Sequence, residues 1–175
     1  FIFATNGTEL STEWSKSVVN ECNKIKREIS LQDINSRKDL RSLNFVTIDG
    51  SNAKDFDDAV YAEESSDGFL LYVAIADVSE YVPEGSSLDK EAFSRATSIY
   101  FEKKVIPMLP ELISNKLCSL RPNEDKLVVT CEIYLDREGE IKSFEFFNSV
   151  ICSKNRLTYD EVEKFYHKGQ TALSD

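Results

Sequence analysis

The spacing of apolar residues changes at about residue 45. From Ser11 to Ile29, Trp14, Val18, Cys22, Ile25 and Ile29 recur every three or four positions. That is one face of an amphipathic helix. The stretch SLQDINSRKDLRSL then loses the period and reads as a linker. From Phe45 the pattern becomes strand-like. NFVTI is a strand, and AVYAEE with FLLYVAIADV, joined by SSDG, forms a β-hairpin. KLVVTCEIYL and EIKSFEFFNSVIC, joined by DREG, form a second hairpin. Ser86, with Asp89 three positions on, caps a helix in SSLDKEAFSRAT. Thr158 with Glu161 opens another in LTYDEVEKFYHKG, and Gly169 closes it. The proline-bounded IPMLPELIS has room for about one helical turn. No internal repeat and no β-α-β alternation is present. Hairpins punctuated by helices predict an α+β fold with a mostly antiparallel sheet and flanking helices. Residues 1–40 read as a lead-in helix and linker, and residues 41–175 as the domain proper.

Composition narrows this picture. The 175 residues, 41% of them hydrophobic, suffice for a packed core. No run approaches the roughly 20 apolar residues that span a bilayer, and no signal-peptide pattern opens the chain. A cytoplasmic protein without membrane contact is expected. The chain begins at Phe1 and stops in GQTALSD, which predicts a piece of a longer protein. Cys22, Cys118, Cys131 and Cys152 lie far apart with no C-x-x-C pair, which speaks against zinc. Apolar neighbours around the last three predict buried, reduced thiols. His167 stands alone near the C-terminal end, so no histidine pair exists for a metal, and a solvent-exposed ring is expected. The net charge of −10 argues against a general nucleic-acid-binding surface on this chain by itself. It leaves room for a nucleic-acid enzyme whose carboxylates hold cations.

The acidic charge is concentrated in TIDGSNAKDFDDAV. Asp49, Asp55, Asp57 and Asp58 fall within ten positions, just past a strand. One reading is a solvated turn, because Asp is common in turns and surface repulsion is screened. The other is a cation site. Phe56 and the AVY that follows are apolar, Gly50 and Ala53 are small enough for close packing round a ligand, and Asp49 can face the later three. Packed carboxylates are costly unless neutralised, and oxygen ligands suit Mg²⁺ or Mn²⁺. Two such ions about 4 Å apart cleave phosphodiesters by activating water and stabilising the leaving oxygen. An EF-hand is excluded because Ala59 follows where the pattern needs another ligand. An aspartyl-phosphate loop starts directly at a strand end, whereas Asp55 lies six residues beyond it.

TIDGSNAKDFDDAVYAEE, VAIADVSEYV, SRATSIYFEKKVIPMLPELISNKLCSL and RLTYDEV, in this order from about Arg41 to about Lys168, resemble the catalytic domain of the ribonuclease II superfamily, most of all its ribonuclease R branch. The resemblance implies hydrolytic, processive 3′→5′ degradation of RNA to nucleoside 5′-monophosphates with Mg²⁺. It implies that Asp49, Asp55 and Asp58 hold metal or its waters, and that Asp57 is the position most critical for chemistry, with Asp55 beside it. Tyr100 matches an aromatic that stacks on bases near the RNA 3′ end, and Tyr159 one that lines the pocket. From the residues alone, Tyr100 reads better as an amphipathic core tyrosine, and Tyr159 equally well as a helix-start residue packing on the sheet. Arg95 could reach a phosphate, but reads better as a helix-surface arginine. IPMLPELISNKLCSL reads as a structural wall beside the metal loop. The family's domain continues past residue 175 with a phosphate-binding arginine, a second aromatic and much of the RNA channel. Cold-shock domains precede it and an S1 domain follows. A catalytically silent RNA-binding or interaction module of the same fold is the alternative, and an acidic-loop phosphatase a third reading.

Overall fold

A computed structural model describes residues 11–101 and 104–168. Gly169, expected to close the last helix, lies outside them. The chain divides into two compact units.

The larger unit takes residues 28–77 and everything after 117. Its core is a seven-stranded sheet. The strands are β1 (Lys38–Asp39), β2 (Val46–Asp49), β3 (Asp58–Ser65) and β4 (Gly68–Ala76), then β7 (Asp125–Asp136), β8 (Ile141–Cys152) and β9 (Asn155–Thr158), with β5 (Ile99–Phe101) and β6 (Lys104–Ile106) in the smaller unit. They lie in the order β1-β8-β7-β4-β3-β2-β9. Both predicted hairpins are present, β3–β4 and β7–β8, and β4 joins them antiparallel to β7. The sheet is therefore mostly antiparallel, as expected, with a correction at its margins. β1 runs parallel to β8, and β9 runs parallel to β2. Short strands that pair across long stretches of chain leave no local period, so spacing alone could not give their direction.

Alternation explains the packing. Phe45 and Thr47 are fully buried, and Ala59, Tyr72, Ala74 and Ala76 lie below the surface of β3 and β4. Phe45 packs against Tyr61 and Tyr72, with ring centres 6.0 and 6.3 Å away. On β7 and β8, Leu127, Val128, Val150 and Ile151 are buried, and the hydroxyls of Thr130 and Ser149 meet at 2.6 Å. The expected linker is not featureless. It holds the short helix α2 (Leu31–Asn35), closed by a Ser30–Asp33 capping box, and then β1. Between them Arg37 reaches Asp77 at 2.7 Å, both side chains only 6% exposed, and donates a second bond to the Val128 carbonyl. Removing one partner of such a pair costs about 3–5 kcal/mol, because the other is left charged and buried.

The smaller unit joins residues 11–27 to 78–117. Helix α1 (Lys16–Lys24) is shorter than the period suggested. Ser15 caps it by accepting the Val18 N–H, and Ile25 turns extended, so Trp14 and Ile29 fall outside. Val18 and Cys22 are buried on α1, as are Leu88 and Ala92 on α3 (Ser87–Arg95). Ser86 caps α3 as expected, while the Asp89 carboxylate takes the Gly85 N–H rather than that of Ser86. The Glu21 carboxylate of α1 accepts the N–H groups of Ser87 and Leu88, both at 2.9 Å, and these bonds hold its pKa below the usual range. Arg95 corrects the surface reading. Its side chain is 10% exposed, bonds to Glu91 and to the carbonyls of Ser11, Glu13 and Pro107, and lies 3.8 Å over the Trp14 ring. The strands β5 (Ile99–Phe101) and β6 (Lys104–Ile106) form a small hairpin, and the IPMLPELIS segment runs into a π-helical turn, Ile113–Leu117.

Candidate active site

Asp49 ends β2 on the same face as Phe45 and Thr47, the face turned to the core. Its Oδ2 is buried and accepts no hydrogen bond. The loop to β3 is braced at several points. The Ala53 N–H returns to the Gly50 carbonyl at 3.0 Å. The buried Ser119 hydroxyl donates to the Lys54 carbonyl and accepts the Phe56 N–H. Leu120 N–H donates to the Phe56 carbonyl at 2.8 Å, and Ala76 N–H to that of Asp57 at 2.9 Å. Phe56 itself is buried, with Asp55 and Asp57 flanking it in the chain. Asp58 opens β3 opposite Ile75. A Cβ at Gly50 would meet nothing within 4 Å, so packing inside the chain does not require glycine there.

Asp49 and Asp57 are both shifted by their surroundings. Asp57 keeps an exposed surface, yet loss of hydration is the first cause lifting its pKa above the ordinary 3.8, followed by Asp55, Asp49 and Asp58. Asp49 is lifted by burial first, then by Asp58 and Asp55, and Arg156 partly offsets this. Cys118 is pushed up to about 12 by burial and next by Asp57. Among the described residues, however, no three Asp, Glu, His or Cys side chains converge closely enough to hold a metal ion. The donor set suits a hard cation, and the orphaned Asp49 oxygen is an acceptor to spare.

Parallel pairing brings β9 to this loop. Thr47 lies opposite Arg156 and Asp49 opposite Thr158. Thr158 caps α4 (Tyr159–Lys168) with a reciprocal box. The Glu161 carboxylate accepts the Thr158 N–H at 2.7 Å, and Thr158 Oγ1 accepts the Glu161 N–H at 3.3 Å. Tyr159, next along the chain from the residue facing Asp49, is 62% exposed. Tyr100, 65% exposed on β5, belongs to the other unit. The residues that spacing did not single out are Arg156 and Ser119. Arg156 sits two positions before Thr158, on the same face by strand alternation, and that was the available signal.

All four cysteines are free, with Cys22 and Cys118 buried and Cys131 and Cys152 only partly so, because the latter two lie on half-covered strand faces. The His167 ring is exposed and stacks edge-on to Tyr166. Among the described residues no helix is long and apolar enough to cross a membrane.

Comparison with known proteins agrees with this architecture. The RNB domain family matches residues 37–175. Ribonuclease R of Mycoplasmopsis pulmonis is 48% identical over 155 residues, which is 89% of this chain and 21% of that protein. The chain thus spans about a fifth of the length of that relative. The structure of Mycoplasma genitalium RNase R in complex with double-stranded RNA superposes with a TM-score of 0.88 at 40% identity, covering 95% of this chain and 30% of that one. Yeast Ssd1, a pseudonuclease, is 20% identical with a TM-score of 0.72 over 85% of this chain and 18% of its own, and shares the fold alone. By its family match and by its identity to ribonuclease R over most of its length, the chain belongs to the RNB domain family.

Proposed function

We propose that residues 41–175 form the N-terminal part of the catalytic domain of a cytoplasmic, hydrolytic, processive 3′→5′ exoribonuclease, with residues 1–40 leading in from preceding cold-shock domains. The rest of the catalytic domain and an S1 domain complete the parent protein. The substrate is the single-stranded 3′ end of RNA, released as nucleoside 5′-monophosphates. The observation that carries the reading is the braced loop that gathers Asp49, Asp55, Asp57 and Asp58, with Asp49 Oδ2 buried and accepting no hydrogen bond, and with Asp49 and Asp57 both raised first by burial and then by acidic neighbours.

In this reading Asp49, Asp55 and Asp58 hold Mg²⁺, or Mn²⁺, or its waters. The chemistry such a cation supplies is activation of water and stabilisation of the leaving oxygen. Asp57, with Asp55 beside it, orients the attacking water toward the phosphorus. Its bond to the Ala76 N–H fixes the backbone, and the burial of Phe56 keeps the two flanking carboxylates on a rigid base. Tyr159 lines the pocket, and Tyr100 stacks on a base near the 3′ end. Stacking is indifferent to sequence, as a non-specific exonuclease requires.

Asp57→Asn in the full-length protein tests this. Turnover should fall by about 10²–10³ or more, the usual cost of losing one preorganised transition-state contact, while RNA affinity stays within a factor of a few. Near-normal turnover would remove Asp57 from the mechanism.

A further inference from the structure

Three polar atoms on one face of the β2–β9 pair are buried and make no hydrogen bond: Thr47 Oγ1, Asp49 Oδ2 and Arg156 Nε. Register puts them together, since Thr47 lies opposite Arg156 and Asp49 is two residues further on. Arg156 meanwhile uses the far end of its guanidinium. Nη2 donates to the carbonyl of Gly50 at 2.9 Å and of Ser51 at 2.7 Å. The guanidinium carbon lies 5.0 Å from the centre of the Phe56 ring, within the range of a cation–π contact. One side chain therefore touches the acidic loop at both ends, just after Asp49 and between Asp55 and Asp57.

We propose that Arg156 is the positioning residue of the four-aspartate loop. It sets the spacing between Asp49 and the later three carboxylates by pinning the Gly50–Ser51 turn and seating Phe56. The inference rests on the reading of those carboxylates as metal ligands. Two effects of Arg156 oppose each other. Its positive charge beside Asp49 disfavours a second cation, and its bonds to the loop preorganise the ligands for one. Geometry outweighs charge here, because the two strong bonds go to backbone carbonyls and Nε donates no bond to the carboxylate. A planar fork does this where an ammonium does not.

The test is Mn²⁺ binding to the full-length protein, followed by its electron paramagnetic resonance signal, in Arg156→Lys and Arg156→Met, with RNA affinity as the check that each variant is folded. Both variants should bind Mn²⁺ roughly 10–100-fold more weakly, the usual effect of losing a residue that orients metal ligands. Their kcat should fall with KM for RNA little changed, and added Mn²⁺ should recover part of it. If Arg156 is a counter-charge only, Arg156→Met binds Mn²⁺ as tightly as or more tightly than the parent, and Arg156→Lys is unaltered. Either result overturns the proposal. So does loss of RNA binding along with Mn²⁺ binding in both variants, which would make Arg156 a general support of the fold. Asp58→Asn, measured alongside, separates the two levels. If it leaves Mn²⁺ binding intact, the metal reading fails. If it weakens binding while both Arg156 variants do not, only the role of Arg156 fails.

Discussion

A carboxylate on the core side of a strand is in a poor medium for its charge, and Asp49 is held there by the alternation that buries Phe45 and Thr47. Asp57 reaches the same condition first through loss of hydration and then through Asp55, Asp49 and Asp58. A raised pKa in the fold means that the neutral form is preferred there. Stability from these two groups is full below the ordinary 3.8 and is lost as pH rises through the raised values. Asp39, held down to about 2 by Arg41, and Glu161, lowered by Thr158, act in the opposite sense. A comparison of two proteins cancels them. In chelator-treated full-length protein, Asp57→Asn should match the parent in β3–β4 amide protection near pH 3.8 and exceed it increasingly toward neutral pH. Mg²⁺ should then narrow the gap by protecting the parent. A difference that does not change with pH would mean that the fold does not raise the Asp57 pKa.

At the scale of elements, Gly68 shows how tightly the central strands are set. It starts β4 between Ser65 and Asp136, and a Cβ there would lie 1.9 Å from the Leu135 carbonyl oxygen and 2.8 Å from the Asp136 Cα. Both are backbone atoms, so the strand itself must move. Gly68→Ala is expected to destabilise the sheet by about 1–3 kcal/mol, the range for overpacking a close contact, read as faster hydrogen exchange across β4 and β7. Unchanged exchange would show that the approach is relaxed at little cost. Such elements were legible where they repeat a period. Both long hairpins, the Ser86 and Thr158 caps and the strand before Asp49 follow from spacing and turn chemistry. The two parallel pairings were not legible, because no local pattern records a partner so far along the chain. β1 and α2 were missed because two and five residues are too few to carry a period. The four aspartates stood out by their density. Arg156 did not, because its importance lies in which carbonyls the β2–β9 register brings within its reach.

For the whole molecule, the charge of −10 sets the expectation. A bound divalent ion offsets only two charges, and RNA binding draws on basic surface. The 175-residue chain alone, incubated with labelled single-stranded RNA and Mg²⁺, should give no processive degradation. A ladder of shortened products that disappears with Asp57→Asn would show that it already holds a working site. The parallel pairing of β2 with β9 also has a bearing on how the protein is made. The strand that carries Asp49 must wait for one roughly 110 residues later, which at about 5–20 residues per second is several seconds of synthesis. During that interval the nascent acidic loop lacks Arg156 throughout, and for its first part Ser119 and Leu120 as well. The growing chain on the ribosome therefore carries its aspartates before it carries the residues that brace them, and the loop takes its final shape only once β9 has emerged.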